Sequence, residues 1–375
     1  MKMPLTAGIV GLPNVGKSTL FNAITQSQVE AANYPFATIN PNVGVVEVPD
    51  ERLEKLTQVF VPKKTVHTTF EFTDIAGLVK GASNGEGLGN QFLAHIRQVD
   101  AVCHVVRCFD NADITHVEGS VDPIRDIEII NLELIMADLQ SVENRISKVE
   151  RKALNKDKEA MQEYRVLKAF QEALIQGKPA RSVEIDKEDL QTAKNYQLLT
   201  HKPMIYIANM AEDEVADPES NKYYMQVKEF AEAEGNDVIA ISARIEEELS
   251  MMEKEDRQMF LEDLGIKESG LDQVIRAAYH LLGLKTYFTA GQVEVRAWTF
   301  KDGMTAPECA GIIHSDFQRG FIRAEAYSYD DIVTYGSEAA LKENGKLRSE
   351  GKDYIVKDGA VLHFRFNVYA LIDNN

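Results

Sequence analysis

The sequence lacks any apolar run long enough to cross a bilayer. Its longest apolar stretches, such as Ala101–Val106 and Pro203–Ala208, have the length of buried strands, far short of a membrane helix. Residues Met1–Ala7 lack the basic stretch and apolar core of a signal peptide, so neither export nor membrane contact is expected and the cytoplasm is the expected compartment. Cysteine is scarce: Cys103, Cys108 and Cys309 are the only three, with no CxxC spacing. An odd, dispersed set argues against a disulfide framework or a zinc site and suits buried thiols in a reducing compartment. Positive charge is also short, with 41 Lys and Arg against 59 Asp and Glu and a net charge of −18. That balance is wrong for a general nucleic-acid binder, and DNA is not an expected partner.

The deficit is uneven. Glu212–Glu262 carries sixteen acids and five bases, whereas Arg145–Lys158 carries six bases and two acids. A basic patch can therefore sit on an acidic protein.

Strand and helix signals alternate from the N-terminus, which predicts an α/β fold with a mostly parallel sheet. Leu5–Val10, Val43–Val48, Thr65–Thr73, Ala101–Arg107, Pro203–Ala208 and Asp237–Ser242 read as strands; Lys17–Gln26 and Gln91–Gln98 read as helices. Neither glycine nor proline occurs from Ile124 to Gln176, and Ile127, Ile130, Leu134, Leu139, Val142, Ile146 and Val149 recur near helical spacing. This predicts a long helical pair over Asp126–Ala180, inserted into the nucleotide domain and projecting from it. After Gly283 glycines punctuate short segments, and Tyr287–Thr299 reads as a strand of a separate small α+β domain ending near Val368. The expected division is a nucleotide domain over 3–283 with an insertion at 126–200, a second domain over 284–368, and a tail over 369–375 to which no role is given.

Gly11-Leu-Pro-Asn-Val-Gly16-Lys17-Ser18 matches GxxxxGK[ST] in full, after a strand and before a helix. Glycines let the loop curl so that backbone N–H groups point at phosphates, and the helix that follows presents its positive N-terminus to the same anion. Lys17 reaches the β- and γ-phosphates and the Ser18 hydroxyl ligates Mg²⁺. The expected nucleotide-binding run is Asn14, Val15, Gly16, Lys17, Ser18 and Thr19, with Lys17 also catalytic. Asp74, in Asp74-Ile-Ala-Gly77 at a strand end, is the expected partner of the metal, and the Gly77 N–H is placed to sense the γ-phosphate. Thr38 lies between these motifs and would close on Mg²⁺ only when that phosphate is present, a switch loop. The expected metal ligands are thus Ser18, Thr38 and Asp74. Gly81, Gly85, Gly87 and Gly89 follow directly and suggest a second switch.

Together GLPNVGKST, NYPFAT and DIAGLVKGASNGEGLGNQF resemble the Obg-related GTPases. With Tyr206-Ile-Ala-Asn209-Met210, Thr286-Tyr-Phe-Thr-Ala-Gly291 and the segments around Ile313–Asp316, Gly320–Ala324 and Gly351–Gly359, the chain is similar to the YchF, or Obg-like ATPase, family over nearly its whole length. The resemblance implies a G domain with a coiled-coil-like insertion, a C-terminal β-grasp domain of the TGS type, and ribosome-associated ATPase activity. Where the family usually stops, at Phe366-Asn367-Val368, this chain continues to Asn375.

GTPases read guanine through NKxD, but the corresponding run here is Asn209-Met210-Ala211-Glu212. Asn209 suits adenine, whose N7 accepts and whose N6 donates. Backbone near Met210 would complete that edge, and the loop at Ser242 would flank the base. Leu78 stands where many relatives carry a water-orienting glutamine, and leucine cannot orient water. His116 resembles the family's candidate catalytic histidine. Asn14 is the residue type that helps bind K⁺ in related enzymes, so K⁺ is a second implied cofactor. Expected partners are ATP and the ribosome or ribosomal RNA, the latter through Arg145–Lys158 with Arg319 and Arg323. A nucleotide-gated binding module, a GTPase and a small-molecule kinase remain the alternatives.

Overall fold

The computed structural model describes residues 5–27, 42–75 and 88–367. Thr38, Gly77, Leu78, most of both expected switch loops and the tail at 369–375 lie outside the described residues.

By packing, the chain divides into two compact units: Met1–Val46 with Glu71–Ala278, and Glu47–Phe70 with Tyr279–Asn375. The first is built on a six-stranded sheet containing β1 (Thr6–Val10), β2 (Val43–Glu47), β4 (Thr69–Asp74), β5 (Ala101–Arg107), β6 (Met204–Asn209) and β7 (Asp237–Ile241). Its order is β2-β4-β1-β5-β6-β7, and β4, β1, β5, β6 and β7 run parallel. The expected mostly parallel α/β sheet is thus present. Every residue of β5 and β6 is buried, as continuous apolar strands in the middle of a parallel sheet must be. Strand order reverses about β1, which has β4 on one side and β5 on the other. In open α/β sheets such a reversal opens a crevice at the carboxyl ends of the strands.

The helical pair is α4 (Pro123–Leu154) and α5 (Lys158–Ile175). Asp122 caps α4 by accepting from the Arg125 N–H at 3.1 Å, and Asp157 caps α5 by accepting from the Ala160 N–H at 2.9 Å. Only Asn155, Lys156 and Asp157 separate the helices, and Lys156 takes a positive φ of 65°. So short a turn makes the pair antiparallel. Ile135, Val142, Ile146 and Val149 of α4 pack with Val166, Leu167, Phe170 and Leu174 of α5 in one apolar seam. At ~1.5 Å per residue the 32 residues of α4 are about 48 Å long. Asp138, buried in α4, accepts from the N–H groups of Leu199 and Thr200 at 2.9 and 2.8 Å and so fixes the end of the insertion to the arm.

In the second unit, β3 (Lys64–Val66), β8 (Leu284–Ala290), β9 (Glu294–Lys301), β10 (Phe321–Ser328), β11 (Arg348–Glu350) and β12 (Ala360–Phe366) form a mixed sheet of order β11-β10-β12-β8-β9-β3. The stretch Tyr287–Thr299 is therefore two antiparallel strands, β8 and β9, turning at Gly291–Val293. The stretch Thr65–Thr73 likewise contributes to both sheets, through β3 and β4, and α2 (Glu51–Phe60) was not anticipated. Leu53 and Leu56 of α2 pack with Phe288, Val295, Tyr327 and Val361, while Arg52 donates to Asp50 and Asp358 at 2.8 Å each. Among the described residues no helix is long and apolar enough to cross a membrane.

Candidate functional site

A cleft of about 990 Å³ opens at the carboxyl ends of β1, β5 and β6, lined at one end by Asn14, Gly16, Lys17, Ser18 and Thr19. Two features shape this end. Gly11 lies so close to β5 that a Cβ there would stand 2.9 Å from the Val105 carbonyl oxygen. Gly16 has φ 94° and abuts Asn209, whose amide nitrogen would be 2.1 Å from an added Cβ. Side chains other than hydrogen are excluded at both positions. Helix α1 (Lys17–Gln26) starts at this point, so its positive end faces the cleft. Lys17 is buried and forms a close ion pair with Asp74, the last residue of β4. Lysine and carboxylate thus meet because β1 and β4 are neighbours, with Ile9 in register with Asp74. Ser18, adjacent in sequence to that lysine, is exposed.

The other end is assembled from three separate segments. Phe109, Asp110, Asn111 and Ile114 follow β5; Met210 to Asp213 follow β6; and Ser242 to Arg244 with Glu247 follow β7 and begin α8 (Ala243–Ser250). Here two residues of the expected base site, Asn209 and Met210, line the cleft and also make bonds within the protein. The Asn209 side chain donates to the Val15 carbonyl at 2.8 Å and accepts from the Ala243 N–H at 2.9 Å. Its oxygen and one of its hydrogens join the P-loop to the start of α8; these bonds leave a second amide N–H and a second oxygen lone pair unused on a residue that also lines the cleft, while the engaged hydrogen is unavailable to a base. The Met210 N–H donates to the Ile241 carbonyl at 2.8 Å and is likewise unavailable to a base. Glu212 accepts from Arg244 at 2.8 Å, with 44% and 73% of the two side chains exposed. An exposed pair of this kind is worth under about 1 kcal/mol, so it biases Glu212 toward Arg244 without locking it.

His116 also sits differently from its sequence reading. It is buried, its Nδ1 accepts from the Glu118 N–H at 3.1 Å, and its Nε2 meets the Asp126 carboxylate at 2.7 Å. An Nδ1 that accepts requires the proton on Nε2, which therefore donates to Asp126. The ring does not line the cleft. Its loop is nevertheless tied to the P-loop, because Asn14 donates to the Thr115 carbonyl at 3.0 Å. That bond uses one N–H of the Asn14 amide. Sequence reasoning missed Arg107 and Asp126, the charged groups that hold this loop. A hint lay in Ala101–Arg107, where a strand otherwise free of full charge ends on arginine.

Away from the cleft, the basic run is exposed where α4 turns into α5. Arg145 is paired with Glu163 at 2.5 Å. Among the described residues Lys148, Arg151, Lys152, Lys156 and Lys158 are exposed and make no ion pair. Arg319 and Arg323, by contrast, lie 3.8 and 3.4 Å from Asp316 and Glu325.

Comparison with known proteins accords with this geometry. Residues 6–137 match the family MMR_HSR1, described as 50S ribosome-binding GTPase, and residues 284–367 match YchF-GTPase_C, described as protein of unknown function (DUF933). The chain is 64% identical over 366 residues to the ribosome-binding ATPase YchF of Bacillus subtilis (strain 168), covering 98% of this chain and 100% of that protein. To the protein of the same name from Escherichia coli O157:H7 it is 52% identical over 366 residues, with the same coverage. The solved structure of the Schizosaccharomyces pombe YchF GTPase superimposes with a TM-score of 0.88 at 39% identity, covering 97% of this chain and 98% of that one.

Proposed function

The chain belongs to the YchF family, and from that premise we propose that it is a ribosome-associated ATPase of the cytoplasm. It binds ATP in the P-loop cleft in preference to GTP, hydrolyses it to ADP and phosphate, and uses the cycle as a conformational switch on the ribosome. The observation that carries the reading is the meeting of Gly11–Ser18 with Asp74 at the reversal of strand order, the geometry of a phosphate-binding crevice.

When phosphate enters, Lys17 exchanges Asp74 for the β- and γ-phosphate oxygens, where charge develops as the terminal phosphoryl group passes to water. Loop N–H groups and the start of α1 hold the same oxygens. Mg²⁺ suits the donors present, since the Ser18 hydroxyl and Asp74 carboxylate are hard oxygen ligands at the P-loop; Thr38 is the proposed third ligand and Gly77 the γ-phosphate sensor. When bound, the ion would neutralise negative charge on the phosphates. His116 is the proposed group on the attacking water, and it reaches that position only after giving up Asp126. K⁺ at the Asn14 oxygen is the proposed substitute for an arginine finger.

Preference for ATP follows from what the base end withholds. Met210 removes the bracing lysine of a guanine site, and Glu212, longer than aspartate, is drawn toward Arg244. Phe109, Ile114 and Met210 leave an apolar slot for the base. On the ribosome, the five unpaired bases around Arg151 and Lys152 meet RNA phosphates, and Arg319 and Arg323 contribute less because acids already face them. Co-sedimentation of the protein with ribosomes in ATP, ADP and a non-hydrolysable analogue tests the cycle. Release that requires hydrolysis is the expected result. Release on ATP binding alone would favour a nucleotide-gated binding module instead.

A further inference from the structure

Arg107, the last residue of β5, is 1% exposed. Its guanidinium makes no ion pair among the described residues. Instead Nε donates to the Phe109 carbonyl at 3.2 Å, Nη2 to Asn111 at 3.2 Å and Nη1 to Ile114 at 3.1 Å. One side chain thus organises three carbonyls spread over six residues through donors on all three nitrogens of a rigid planar fork, whereas the three donors of an ammonium radiate from one atom and cannot reproduce that spread. Phe109, Asn111 and Ile114 all line the cleft, and the carbonyl of the next residue, Thr115, accepts from Asn14 of the P-loop. Beyond Thr115 other ties take over: His116 to Asp126, and Arg125 to the Ser120 carbonyl at 2.6 Å. The guanidinium therefore shapes one stretch of the loop, the stretch facing the end of the cleft opposite Lys17 and Ser18.

We propose that Arg107 is a positioning residue for nucleotide binding, the template on which the 109–114 wall of the base end is built. It rests on the reading of the P-loop cleft as the nucleotide site. Burying a guanidinium costs solvation that carbonyl bonds only partly return, and a charge kept at that cost is best explained by the shape it imposes. The wall touches base and ribose and not the phosphates, so Arg107 governs affinity for a whole nucleotide while leaving affinity for the phosphate chain alone.

The test compares ATP with inorganic tripolyphosphate by titration calorimetry in Mg²⁺, on the full chain and on Arg107→Lys, Arg107→Met and Lys17→Ala, with melting temperatures measured in parallel. The expected result is ATP affinity weakened by about tenfold in Arg107→Lys and more in Arg107→Met, with tripolyphosphate affinity within about threefold of the parent. A parallel loss of both ligands, or loss of neither, would overturn the proposal. If Arg107→Met does not fold, Arg107→Lys decides alone, since it keeps the buried charge and removes only the fork. Lys17→Ala separates the two layers: retention of both ligands there sinks the cleft reading itself, whereas their loss leaves that reading standing whatever Arg107 does.

Discussion

The two ends of the cleft are built on opposite plans. At the phosphate end one contiguous run, Gly11–Ser18, supplies the loop, the lysine and the helix N-terminus, and each residue has a local reason for its type. At the base end three segments from three strands converge, and the polar side chains there carry bonds within the protein. Asn209 joins Val15 to Ala243, Glu212 leans on Arg244, and Arg107 holds three carbonyls. The phosphate end therefore binds through contacts made directly to the ligand. On the proposed reading the base end would select through the shape of a scaffold and through what it fails to offer guanine.

The largest effect falls at the phosphate end. Lys17→Ala should abolish binding of ATP and GTP alike while the protein stays folded, because Lys17 is assigned to the shared triphosphate. Equal ATP affinity in a folded Lys17→Ala protein, measured by calorimetry, would break the comparison at its firmer side.

Turnover should be next. His116→Ala is expected to slow hydrolysis by about a hundredfold or more with little change in ATP affinity, as for a group acting on water in the transition state. Since the ring is stored against Asp126, Asp126→Asn should keep ATP affinity but alter the rate. Single-turnover rates indistinguishable from the parent in both variants would remove His116 from the reaction.

Asn209→Ala separates brace from reader. As a brace between Val15 and Ala243, its loss should weaken ATP and GTP together, by roughly 1–3 kcal/mol. A loss confined to ATP would return Asn209 to the role of reading adenine, and the base end would then resemble the phosphate end after all.

The smallest effect belongs to the arm. Charge reversal at Arg151 and Lys152 should weaken ribosome binding and lower its salt slope by about 2, one unit for each phosphate that the arm no longer neutralises. Binding that is unchanged across a salt series would leave the patch as a solvated helix face.

What could be read from the sequence follows the same division. The P-loop with Lys17 and Ser18 was legible because strand, loop and helix are consecutive and its geometry is local, whereas Asp74 was read from a motif at a strand end and meets Lys17 only through the pairing of β1 with β4. The helical arm was legible because Leu139, Val142, Ile146 and Val149 repeat without glycine or proline to interrupt them. Thr65–Thr73 was harder. Both of its halves are β-branched and aromatic, and nothing local says that Lys64–Val66 pairs with β9 while Glu71–Asp74 pairs with β1. Tyr287–Thr299 ran together for a related reason, since Gly291 and Val293 mark a turn only once β8 and β9 are seen to pair. The bonds that Asn209 and His116 make within the protein, and the place of Arg107, were not legible because the partners of Asn209 lie 34 to 194 residues away and the others lie in a loop whose path no periodicity reveals. Residue type announces what a side chain can bond to, and long-range packing decides whether it is still free to do so.

On the proposed reading this base end prefers adenine because it withholds the guanine contacts. Titration calorimetry with ATP and GTP under identical Mg²⁺ conditions measures it directly, alongside a Met210→Lys, Glu212→Asp double variant that restores those contacts. Tighter ATP binding by the parent, by about 10–200-fold because only a few base-edge contacts differ, is expected, with a shift toward GTP in the variant. Equal or tighter GTP binding by the parent would contradict it.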